Sequence, residues 1–132
     1  MGMQNPGIVS NEQRTLAIIR SANMNITTDQ IFNISPTVTK FQITAIIATN
    51  ASISLTTAAG GVYTAASKGG TPLVAAGQVY SALTASTVLL NLTLTAAANT
   101  TALTLAQVFF NLTTAQGSAA TADLYLVGID LT

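Results

Sequence analysis

The chain contains no cysteine and no histidine, and only eight of its 132 residues are charged, four of each sign. Without cysteine there is neither a disulfide nor a thiolate metal site. Without histidine the commonest general base and the commonest metal ligand are gone as well. An average soluble domain carries roughly a quarter charged residues. Here the figure is 6%, so the surface must be built from Thr, Ser, Asn, Gln and Ala. Covering such a surface costs little, because few strongly hydrated charges have to be stripped of water. A net charge of zero also gives little repulsion against self-association. An assembled protein is expected, not a free monomer.

Other absences narrow the partners. The four cations, Arg14, Arg20, Lys40 and Lys68, are scattered and cannot form the basic patch that nucleic acid demands. No apolar run approaches the eighteen residues of a membrane-spanning helix. The opening MGMQNPGIVSNEQR lacks the basic start and apolar core of a secretion signal. Pro6 stands where a myristoylation motif wants Ser or Thr. Folding in a reducing cytoplasm fits this pattern, with no nucleic acid and no membrane as partner.

What is present is a β pattern. Half the residues are apolar, and Ala and Thr together make up a third of the chain. Low charge with high hydrophobicity is the opposite of the balance that gives disorder, and the length is enough for one domain with its own core. The chain is arranged most readily around residues 38–57, VTKFQITAIIATNASISLTT. Phe41, Ile43, Ala45 and Ile47 alternate with Lys40, Gln42 and Thr44, which places one apolar edge inward on a strand. Ile46 breaks the polar side, so part of the outer face is also expected to be covered. Twenty residues exceed one ordinary strand. A bend at Asn50 therefore divides a central strand, 38–49, from a shorter one, 51–57.

Around this centre, residues 1–14 read as an N-terminal arm, broken by Asn5-Pro6-Gly7, and residues 15–132 as a single domain. Strands are expected over 15–20, 29–34, 62–65, 88–95, 108–113 and 123–131, with 103–106 either a short strand of its own or part of one running into 108–113. Residues 58–61 (AAGG) and Lys68-Gly69-Gly70 read as glycine turns. Thr71-Pro72 resembles a helix start, and Leu73, Ala76, Val79, Tyr80 and Leu83 follow at helical spacing. A short helix near 72–83 is favoured over an irregular strand, although Gly77 costs it about 1 kcal/mol. Residues 96–101 read as a small-residue loop. In the last strand both Leu124, Leu126 and Gly128 and the alternate Tyr125, Val127 and Ile129 are apolar. That strand is buried on two faces, or on one face and a subunit interface. The run LTTAAG at 55–60 recurs as LTTAQG at 112–117, which either duplicated hairpins or an Ala/Thr-rich composition explains.

Chemistry is sparse. The acids are Glu12, Asp29, Asp123 and Asp130. Paired catalytic carboxylates must flank one substrate. Asp123 and Asp130 are an odd number of residues apart on one strand, so they face opposite ways and read as strand-end polar residues. No oxygen-rich run suits calcium, no glycine pair precedes a lysine-bearing helix start, and serine lacks an activating base. The chain is expected to be no enzyme and to hold no cofactor and no metal. Six glycosylation sequons, at Asn25, Asn33, Asn50, Asn91, Asn99 and Asn111, follow from composition. The three tyrosines and four phenylalanines lie within apolar patterns, as core residues do, instead of in the loops of a sugar-stacking platform.

Four segments carry a resemblance: Ala22-Asn23-Met24-Asn25-Ile26, Thr49-Asn50-Ala51-Ser52, LTTAAGGVYTAASKGG at 55–70, and TADLYLVGIDL at 121–131. Together they resemble a group of small structural proteins of tailed bacteriophages. The resemblance implies a head decoration or cement role: a homotrimer on the major capsid protein at a symmetry axis, with its terminal arm reaching across neighbours. By that analogy residues 1–14 lie on the capsid, Glu12, Arg14 and Arg20 are the capsid-contact candidates, and the protein resides on the virion surface after synthesis in the host cytoplasm.

The expected fold is therefore all-β, a two-sheet sandwich of jelly-roll type with about eight strands and one short helix near 72–83. The expected function is capsid decoration. A phage tail or receptor-binding accessory is one rival, marked by exposed aromatics or a trimerising tip. A carbohydrate-binding or adhesin module is another, marked by aromatics with Asp and Asn on one face.

Overall fold

The computed structural model describes residues 13–132. In chain order the elements are β1 (Gln13–Asn23), β2 (Gln30–Asn33), β3 (Phe41–Thr49), β4 (Ala59–Ala65), β5 (Gly69–Val74), β6 (Leu89–Asn91), α1 (Ala96–Thr100), β7 (Gln107–Thr114) and β8 (Thr121–Asp130). They form two four-stranded sheets, β1-β8-β3-β6 and β2-β7-β4-β5. Pairing is nested and antiparallel: first strand with last, second with seventh, third with sixth, fourth with fifth. Contacts β3–β8 and β4–β7 complete the sheets. This is a long hairpin folded over itself, the connectivity of an eight-stranded jelly roll. The expected all-β sandwich is what the chain forms. β1 begins at Gln13, while the remainder of the expected arm, 1–12 with Glu12, lies outside the described residues.

Alternation builds the core. Ala122, Leu124 and Leu126 of β8 and Val108, Phe110 and Leu112 of β7 are buried among Phe32, Phe41, Ile43 and Ile46. Burial of each large side chain contributes about 1.5–3 kcal/mol. Tyr80 meets Phe110 edge-on, with ring centroids 6.1 Å apart, and its hydroxyl donates to the Gly60 carbonyl at 3.2 Å. Burial, and secondarily the neighbouring Tyr63, push the Tyr80 phenol well above its ordinary value. It stays a donor at any physiological pH.

The central strand departs from strict alternation. The pairing of β3 with β8 slips between Ile43 and Ala45, and an extra residue in a strand reverses which face the following side chains take. Phe41 and Ile43 point into the core as expected. Beyond the slip it is Ile46 and Ala48 that are buried, and Ala45 and Ile47 turn outward. Ile46 marks the bulge; it does not mark a covered outer face. β3 ends where expected, at Asn50, which has φ 55°. The expected strand 51–57 is instead an irregular segment. Ala51 and Leu55 are buried there, Ile53 is exposed, and the Leu55 amide bonds to the Leu83 carbonyl at 3.0 Å.

Four further elements differ from the sequence reading. Gly60 and Gly61, expected in a turn, lie inside β4. The helix expected near 72–83 is absent: residues 72–74 finish β5, and a loop follows. Its backbone bonds run to β4 and its approach, with Gly60 N donating to Gln78 O at 2.9 Å and Tyr80 N to Ala58 O at 3.2 Å. Those tertiary bonds outweigh a helical propensity already weakened by Gly77. The short helix is α1, in the expected small-residue loop. There the Thr95 hydroxyl caps the Ala98 amide at 3.4 Å and Ala98 is buried in the core. Residues 103–106 supply no strand, only a bridge in which Leu103 and Phe41 exchange both backbone bonds.

The repeated LTTA segments are not equivalent hairpins. One leads into β4 and the other ends β7, and the two meet. Gln116 of the second accepts from the Thr57 and Ala58 amides of the first, each at 3.0 Å. Its Nε2 donates to the Thr56 hydroxyl at 3.1 Å.

Candidate functional site

Two of the sequence-derived contact residues, Arg14 and Arg20, lie on β1 beside β8. Arg14 Nη2 donates to Asp130 Oδ2 at 2.9 Å, and the Thr132 amide donates to Asp130 Oδ1 at 2.9 Å. The Thr132 hydrogen bonds foremost, and the Arg14 cation after them, hold the Asp130 carboxyl below the ordinary range, against the opposing effect of burial. A carboxyl depressed by folding adds stability above its unfolded value, and that stability is lost as the pH falls through the folded value. Melting temperature should accordingly drop below about pH 4. Asp130→Asn should flatten that acid limb in melts recorded across the range.

The partner of Arg20 is Tyr125. Its Nη1 reaches the phenol oxygen at 3.4 Å, and the guanidinium carbon lies 6.0 Å from the ring centroid. Asp123 serves the backbone. Its Oδ1 accepts from the Ser21 amide at 2.7 Å and its Oδ2 from Asn50 Nδ2 at 3.1 Å. Ser21 and Asn50 have φ of 52° and 55°, a region costly for residues with a Cβ. One buried carboxylate thus fixes both the bulge in β1 and the end of β3. Asp123→Ala should destabilise the fold by about 2 kcal/mol, measurable by urea denaturation. The two β8 acids have separate structural partners and do not converge. Among the described residues no three His, Cys, Asp or Glu side chains group as metal ligands.

The outer face of sheet β1-β8-β3-β6 is a different matter. Register aligns Ile18, Tyr125 and Ile47 across three strands, and beside them Thr15, Val127 and Ala45. Ile18 is exposed, and Tyr125, Val127 and Ile47 are only half-buried. No charged side chain stands in these two rows, and Arg20 borders them. The apolar outer set of β8 was legible in the sequence. The contributions of Ala45 and Ile47 were hidden by the bulge.

The second sheet brings together a polar pocket that sequence reasoning missed. Register sets Gln30 opposite Phe110, so Asp29, just before β2, comes to Asn111, 82 positions later. Asn111 Nδ2 donates to Asp29 Oδ1 at 2.7 Å, and the Ser67 amide donates to Asp29 Oδ2 at 2.8 Å. With Thr27, Thr28 and Lys68 these residues line a pocket of about 280 Å³. An apolar groove of about 450 Å³ runs along residues 75–79 and 93–95 and carries no charged side chain. Of the aromatics, Phe32, Phe41, Phe110 and Tyr80 are core residues and Tyr63 is buried. Phe109 and Tyr125 are half-buried on opposite sheets, so no aromatic platform forms.

Comparison with protein-family models, with curated proteins and with solved structures found no match.

Proposed function

We propose that this chain is a virion structural protein that decorates and cements a bacteriophage head. It binds the major capsid protein and adds buried area at subunit junctions, as a homo-oligomer of trimeric type. The observation that carries this reading is the apolar outer face of β1-β8-β3-β6, which the described residues leave uncovered, with Ile18, Ile47, Tyr125 and Val127 at its centre and no charged side chain in their two rows. Contiguous exposed apolar patches mark association surfaces. Arg20, at the rim against Tyr125, supplies a polar contact there, and Arg14 does so near the chain's C-terminal end. The jelly roll and the lack of convergent chemistry among the described residues support a coat role over catalysis.

The test is sedimentation of the purified chain with heads that lack it. Saturable, stoichiometric co-sedimentation is expected. A chain that stays in the supernatant as a monomer, or follows isolated tails instead, overturns the reading.

A further inference from the structure

We infer that the pocket between the β1–β2 loop and the β4–β5 turn binds a neutral polyhydroxylated ligand, a sugar. This goes beyond the coat reading and does not depend on it. Asn111 is 3% exposed and forms part of the pocket wall. Its Nδ2 is committed to Asp29, which fixes the amide orientation. Its buried Oδ1 has no hydrogen-bond partner among the described residues. A buried carbonyl oxygen without a donor is rare and calls for a reason. A ligand hydroxyl supplies that donor.

The other groups select the ligand class. Asp29 is already oriented by Asn111 and Ser67, and each carboxylate oxygen retains room to accept a second bond. It repels an anion. Lys68, exposed on the rim, repels a cation, and one carboxylate is a poor set for a divalent ion. A hydroxyl both donates and accepts, so vicinal hydroxyls satisfy Asn111 and Asp29 as acceptors and Lys68 as donor. Ser67 and Lys68 hold φ of 58° and 60°, and the Asp29 bond to the Ser67 amide fixes that turn against the pocket. Strained residues persist where surrounding structure over-determines them, often at ligand sites.

The experiment is a titration of the ¹⁵N-labelled full chain, without capsids, followed by amide correlation spectra. The probes are the methyl glycosides of glucose, galactose and N-acetylglucosamine, with calcium chloride and sodium phosphate as charged comparisons. At least one glycoside should produce saturable shifts at Asp29, Ser67, Lys68 and the Asn111 side-chain amide, with Kd in the millimolar range. Lys68→Asn, which suits the positive φ, should weaken binding about tenfold, as loss of one good hydrogen bond does. Asp29→Asn should do so at least as strongly, with folding checked by unchanged spectra elsewhere. The inference is overturned if no glycoside gives saturable shifts at these residues, or if calcium or phosphate does so instead. Since no capsid is present, failure here leaves the coat reading standing, and failure of capsid binding leaves this site standing.

Discussion

Gly60→Ala should destabilise the protein by about 3 kcal/mol or more, at the upper end of the overpacking range, and much of the variant should be recovered as insoluble chain. A Cβ built on Gly60 would sit 2.3 Å from the Leu112 Cα and 2.6 Å from the Asn111 carbonyl oxygen. Both are backbone atoms of β7, the neighbouring strand in the sheet. No rotamer change relieves such a contact; the two strands must part. Separation would also disturb the Tyr80 hydroxyl on the Gly60 carbonyl and the packing of Tyr80 on Phe110, both in the centre of the core. Gly77→Ala is the control, because a Cβ at Gly77 meets nothing within 4 Å. Circular dichroism melts of the two variants side by side give the comparison. Similar melting temperatures for both would mean that β4 and β7 are not so closely apposed.

The second large effect is on association. Val127→Glu should weaken attachment to heads by about a hundredfold, or roughly 2.7 kcal/mol, while the melting temperature changes little. Val127 faces outward from β8, between Thr15 and Ala45, so in the free chain a glutamate there extends into water. In the docked state the same carboxylate is taken from water, and Arg20, which borders these rows, is already held at Tyr125. Burying an unpaired charge is costly. Thr113→Glu, exposed on β7 of the other sheet, should leave attachment unchanged. Equal loss from both variants would mean that bulk charge, not this face, governs docking.

The sequence disclosed the fold more completely than the surface. The apolar runs at 108–113 and 123–131 disclosed strands, which form there as β7 and β8, but with apolar residues on both sides they did not single out the inward one. β3 was misread in its second half because one bulge after Ile43 reverses parity, and only Ile46, out of phase, signalled it. Gly60 and Gly61 read as a turn because glycine's common use is positive φ. Their use here is close approach to the neighbouring backbone, which depends on strand pairing and leaves no local mark. The helical spacing over 73–83 was real but was overridden by backbone bonds from Gln78 and Tyr80 to residues 58–60. The pocket was invisible for a similar reason. Asp29 and Asn111 are 82 positions apart and become neighbours only through the pairing of β2 with β7. Asn111, a strand-interior Asn between Phe110 and Leu112, was the one residue that could have drawn notice.

Electron cryo-microscopy of decorated heads tests the central claim most directly, since it shows which surface of the jelly roll is hidden. The account predicts density for the chain with Ile18, Tyr125 and Val127 turned onto the capsid protein or a neighbouring copy, and with Lys68 and Asp29 open to solvent. A reconstruction in which β1-β8-β3-β6 faces water on its outer side would contradict it.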